Sequence, residues 1–226
     1  MHAAIALSLA LTFTEPAPAP TPEATAPVAT PQPSASTPTP TAVPEPATTP
    51  TPADAATEPA GAKTSAGPVT IYKVASPEKA LRFEVTIPAP VADVWTALST
   101  AEGLATWLWR DTRVDLRPGG DWKAIFPGGK TGGGTIISFE PQKRLELRAG
   151  APDQFPEVKS VGTTAVFELA PLSERSTTLT LTQTGWREGR EWGAAYDYLA
   201  TGNAQLLIRL HQRFISGPRS FPAAKP

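Results

Sequence analysis

A chain of 226 residues with no cysteine, two histidines and 27 prolines excludes a disulfide framework and a cysteine nucleophile, and it lacks the usual zinc ligands. The formal net charge is −1, and residues 69–226 hold 19 bases against 16 acids. Bases so dispersed, with no aromatic ribonucleoprotein pattern, argue against a nucleic-acid module. No metal and no cofactor is expected.

Ala3 to Phe13 is an apolar run of signal-peptide length, too short to span a bilayer as a helix. Residues 1–14 are read as the core of an export signal, which predicts a periplasmic or secreted protein with no transmembrane span once mature. No Lys or Arg stands beside the run, and Pro20 follows Ala17-Pro18-Ala19, a poor cleavage site. A true start near Val69 would leave the chain cytoplasmic. Residues 15–68 contain 15 of the prolines among Ala, Thr and Ser, with Val28 and Val43 as the only larger apolar side chains. That is too little to bury against the entropy of ordering, so a disordered, partly polyproline-II spacer is expected.

Residues 69–226 read as one α+β domain. Leu81, Phe83, Val85 and Ile87 alternate with polar neighbours, the signature of a half-buried strand. Pro88 and Pro90 stop it. Val91, Val94, Trp95 and Leu98 then recur at helical spacing, and Ser99-Thr100 can cap a second short helix through Ala101 to Leu108. Six further strands are predicted over 112–117, 122–126, 135–140, 144–149, 163–170 and 177–184, separated by turn sequences such as Pro118-Gly119-Gly120-Asp121. Gly128-Gly129-Lys130-Thr131 fails as a phosphate loop, because Ala124 stands where the pattern needs Gly and Gly132-Gly133-Gly134 leads into a strand. A flexible glycine hairpin is the expectation there. A long helix over 191–215 closes the chain, with Trp192, Tyr196, Leu199, Asn203, Leu206 and Leu210 in one stripe.

The segment FEVTIPAPVADVWTALSTAEGLATWLWRD, from Phe83 to Asp111, resembles the START-like (SRPBCC) superfamily and, within it, the family of the activator of heat-shock protein 90 ATPase. Pro90, Val94, Trp95 and Trp107 carry the resemblance at the front, and Gly202, Leu206 and Leu210 carry it in the last helix. It implies a helix-grip fold: a curved antiparallel sheet of about seven strands, two short helices after the first, and a long C-terminal helix across the sheet. Such folds form cavities for apolar guests. One departure concerns the final helix, where relatives usually have Gly-Trp and this chain has Gly202-Asn203, an amide on an apolar stripe. A buried amide must find partners or cost about 1–3 kcal/mol, so Asn203 is expected to bond a strand, water or a ligand.

The candidate pocket residues are therefore Trp107 from the second short helix, Trp122, Phe126 and Arg148 from the strands, and Trp192, Tyr196, Leu199 and Asn203 from the last helix. Most of the rings are expected to be core, and Trp95 most plainly so. Trp109 and Trp186, flanked by charges, read as rim residues that contact partners. No catalytic set stands out. His211 sits between Arg209 and Arg213 on what reads as a solvated face, which leaves no histidine triad. The expected function is non-catalytic binding of a small hydrophobic or amphipathic molecule or lipid. Two alternatives are a cyclase- or dehydratase-like enzyme using Tyr196, Tyr198, Arg148 and Asp197, and a co-chaperone-like module if the chain is cytoplasmic.

Overall fold

The computed structural model describes residues 61–221. The expectations for residues 1–14, and for most of 15–68, lie outside the described residues. The elements in chain order are β1 (Gly61–Ala66), β2 (Val69–Val74), β3 (Ala80–Ile87), α1 (Val91–Ser99), α2 (Ala101–Ala105), β4 (Thr112–Val114), β5 (Asp121–Ile125), β6 (Thr131–Glu140), β7 (Arg144–Ala149), α3 (Pro156–Val161), β8 (Thr163–Ser173), β9 (Ser176–Thr184) and α4 (Arg190–Ser216). Every strand pairing is antiparallel. The sheet order is β1-β2-β3-β9-β8-β7-β6-β5-β4, and with α4 it makes the helix-grip arrangement.

Nine strands rather than seven are present among the described residues, and the two additions lie at the front. Strand β2 escapes the period-2 test because it is apolar on both faces. Val69 belongs to the main core, whereas Tyr72 and Val74 form a separate small cluster with Ala80. Strand β1 falls inside the stretch read as spacer, and five of its six residues are exposed. It has no apolar alternation to detect; what defines it is backbone pairing with β2 from Gly61↔Val74 to Ala66↔Val69.

The glycine run is also placed differently. Strand β6 begins at Thr131, so Gly132-Gly133-Gly134 lies within the sheet and not in a hairpin loop. Gly133 has φ +127°, and a Cβ there would overlap the Trp122 carbonyl oxygen. Close approach of β5 to β6 requires glycine at this position.

The helices follow their local signals at their starts. Thr100 caps α2 by accepting a hydrogen bond from Gly103 N at 2.9 Å, the role read from the sequence. Helix α2 ends at Ala105, earlier than expected, and Trp107 and Leu108 then turn into the core. Helix α3 is not among the predicted elements. The Glu191 carboxylate, 34 positions from Glu157, accepts from the backbone N–H groups of Glu157 and Val158 at 2.7 and 3.1 Å. Pro156 at its first position and Gly162 after its end are local signals that a strand-based prediction passes over, whereas the Glu191 cap comes from another element. No helix among the described residues is long and apolar enough to cross a membrane.

Candidate functional site

Alternation along the strands brings one set of side chains to the face beneath α4. Trp122 and Ala124 come from β5, Leu147 and Ala149 from β7, Ala165 and Phe167 from β8, and Leu181 and Gln183 from β9. Leu199, Gly202, Asn203 and Leu206 of α4 face them across a cavity of about 100 Å³. Phe126, Gly150, Gly202, Asn203 and Leu206 keep partial exposure and so form its mouth. A Cβ at Gly202 would meet nothing within 4 Å. Gly202, one of the two glycines of α4, lines the hollow.

One polar line crosses the wall. Asn203 Nδ2 donates to Gln183 Oε1 at 2.7 Å, and Gln183 Nε2 donates to Thr163 Oγ1 at 2.7 Å. Gln183 is 2% exposed and Thr163 3%, so each needs a partner, and the line supplies one. Asn203 thus bonds a strand, one of the outcomes expected for it. Gln183 and Thr163 were missed as site residues. The available signal was phase: Gln183 falls in register with Leu179 and Leu181, and Thr163 with Ala165 and Phe167, so both occupy core positions.

Of the eight residues named from sequence, Trp122, Phe126, Leu199 and Asn203 line the cavity. Trp122 packs on Phe167 with ring centroids 5.9 Å apart and donates its Nε1–H to Leu98 O at 2.7 Å. Its polar edge is therefore spent on α1, and its apolar surface is left for the wall. The other four stand elsewhere. Trp107 is fully buried in the core and donates to Ala97 O at 2.9 Å. Trp192 is buried beneath the Arg187 guanidinium, 5.6 Å from the ring centroid. Tyr196 donates its hydroxyl to Ala80 O at 2.8 Å and meets Trp186 edge-on at 5.0 Å. Burial first, and the Asp197 charge second, push its phenol pKa upward. Arg148 is on the opposite face of the sheet, because it falls between the inward residues Leu147 and Ala149. There it donates to Val161 O at 2.6 Å and lines an outer groove of about 420 Å³ with Lys123 and Lys159.

The rim residues divide. Trp109 is half-buried between Phe126 and Phe221, at centroid distances of 5.3 and 5.2 Å, and its Nε1 is buried without a hydrogen-bond partner. Trp186 is a core residue and not a rim one, 9% exposed, with its Nε1 donating to Gln183 O at 3.0 Å. His211 also departs from the solvated reading: it is half-buried, and burial lowers its pKa. The residues proposed for acid–base chemistry are scattered. Asp197 pairs with Lys73 at 2.7 Å, Tyr198 packs edge-on against Phe155 at 5.5 Å, and Arg148 faces away.

A nine-stranded antiparallel sheet gripping a long helix over a small apolar cavity defines a START-like, helix-grip domain. A family model, described as activator of Hsp90 ATPase homolog 1-like protein, matches residues 88–214, and the chain belongs to that family. Among solved structures, it is similar to the Aha1 dimer from Colwellia psychrerythraea, at 24% identity and a TM-score of 0.51, over 61% of this chain and 97% of that one. It is also similar to protein MLL2253 from Mesorhizobium loti, at 22% identity and a TM-score of 0.51, over 59% of this chain and 95% of that one. At these identities the likeness concerns the fold. Among curated proteins none matches.

Proposed function

We propose that this domain is a non-catalytic binding module that holds a small hydrophobic or amphipathic molecule between α4 and the sheet. The observation that carries this reading is the composition of the cavity wall: aliphatic and aromatic side chains, glycines and one amide line, with no ionisable residue among the described residues. Such a wall offers burial and orientation and has no group for proton transfer at neutral pH. Affinity comes from apolar area removed from water, about 25 cal/mol per Å². A space of about 100 Å³ favours a compact guest over a long acyl chain.

The test is native mass spectrometry of the full chain, solvent extraction of the purified protein, and a thermal-shift screen with small aromatics and lipids. A stoichiometric co-purifying hydrophobe, or a melting temperature that rises in step with ligand concentration, supports the reading. An empty protein that responds to no compound in the screen overturns it. Export belongs to the same proposal and rests on the apolar run from Ala3 to Phe13. Cell fractionation with N-terminal sequencing checks it, and a cytoplasmic chain that retains Met1 would refute export alone.

A further inference from the structure

We infer that the cavity selects a neutral, single-ring molecule carrying one hydroxyl, phenol in the simplest case, which donates its proton to the amide oxygen of Asn203. This rests on the reading of the cavity as a ligand site and narrows it to a chemical class.

Size sets the first limit. A dry engineered cavity of about 150 Å³ admits benzene, and the space here is about 100 Å³ with an open mouth. The space is smaller than that benchmark, so one ring is the largest guest it takes, and its substituted edge must lie in the opening. Gly202 keeps that room, since even a methyl group there would meet no neighbour within 4 Å.

Charge sets the second limit. No ionisable side chain among the described residues lines the wall, so a carboxylate or ammonium would enter without a counter-charge and lose its hydration uncompensated. The guest is neutral.

Hydrogen bonding sets the third. Gln183 is engaged at both ends of its amide, accepting from Asn203 and donating to Thr163. With Gln183 so engaged, the Asn203 Nδ2 turns to it. Its Oδ1 accepts no hydrogen bond from any described residue, and Asn203 is a cavity-lining, half-buried residue. The wall therefore presents an amide oxygen among apolar groups, and its complement is a hydroxyl on an apolar ring.

The experiment titrates the full-length protein with phenol, toluene and benzoate at pH 7 by ligand-observed NMR. Toluene matches phenol in shape and loses less on leaving water, so a phenol preference requires a polar contact. The expected phenol-to-toluene affinity ratio is on the order of tenfold, with benzoate weaker than phenol. In Asn203→Leu the ratio falls below one while toluene binding persists. A wild-type ratio at or below one, or benzoate bound as tightly as phenol, overturns the inference. Should Asn203→Leu fail to fold, the wild-type ratio decides by itself. If none of the three probes binds, the inference is overturned; the broader ligand reading falls as well only when extraction and the compound screen are also blank.

Discussion

Two parts of α4 meet the same sheet and do opposite things. Around Trp192 and Tyr196 the helix is closed down: both rings are buried, Tyr196 is edge-on to Trp186 and its hydroxyl is bonded to Ala80 O. Two turns later, from Leu199 to Leu206, the helix carries Gly202 and Asn203, and a cavity stands against it. Side-chain volume on one stripe thus decides which stretch of the grip is core and which is site. Packed interiors tolerate few voids larger than a water molecule, so a hollow opposite the small residues of α4 is a local property of that stretch, not slack in the whole fold.

The largest expected effect contrasts a core ring with a cavity wall. Trp107→Ala should destabilise the protein by about 3–5 kcal/mol, since the indole is fully buried and its Nε1 bonds Ala97 O. Leu206→Ala, which enlarges a space already present, should cost less than about half as much on the same scale. Urea unfolding of both variants measures the gap, and equal losses would erase the contrast. Gly202→Leu sharpens it from the other side. The new side chain enters open space on a helix, so stability should rise by about 1 kcal/mol from helix propensity alone while binding of ring-sized compounds is lost. A variant that binds as before would show that ligands sit elsewhere.

In the packed stretch, Tyr196→Phe deletes one hydrogen bond and leaves the ring contact with Trp186 in place. A loss of about 1 kcal/mol in thermal or urea unfolding is expected, with ligand affinity unchanged. A change in affinity would tie Tyr196 to the site after all.

The smallest effect lies outside both regions and serves as a control. Hydrogen bonds from Arg144 and Ser138 hold the Glu146 carboxyl below the usual glutamate range, against a smaller opposing effect of burial. A folded pKa below the unfolded one contributes stability above the unfolded value, and that contribution is lost as pH falls through the folded value. Glu146→Gln should therefore be slightly less stable than the parent at pH 7, and the difference should shrink on acidification below the ordinary glutamate pKa. His211, whose pKa burial lowers, works in the same direction at higher pH: stability present above its ordinary value declines as the solution is acidified past it. An acid limb in a pH series of melting curves that is unchanged by Glu146→Gln would remove that residue from the account.

Legibility in the sequence followed the range of the physical cause. Leu81 to Ile87, the start of α2 at Thr100 and the span of α4 are written in periodicity and capping, and each stands where it was expected. Strand β1 depends on a neighbouring strand edge and left no local trace, whereas α3, capped by a distant carboxylate, showed only Pro156 and Gly162 at its ends. The candidate site was half legible. Trp122, Phe126, Leu199 and Asn203 were identified by type and stripe, whereas Trp107, Trp192 and Tyr196 are rings of the same kind that the packing turned into core. Arg148 was misplaced for a simpler reason, because in β7 it falls on the outward phase between two inward residues.

Alternation, helical spacing and short motifs are properties of neighbouring residues, and they made the helix-grip order, the family and the amide on the apolar stripe at Asn203 legible from the chain alone. Packing across the sheet sets the rest: a cavity lies beside this amide, Gln183 and Thr163 complete its polar line, and Trp186 belongs to the core. Whether a volume is filled depends on side chains that arrive from five separate elements, and no local pattern records their sum.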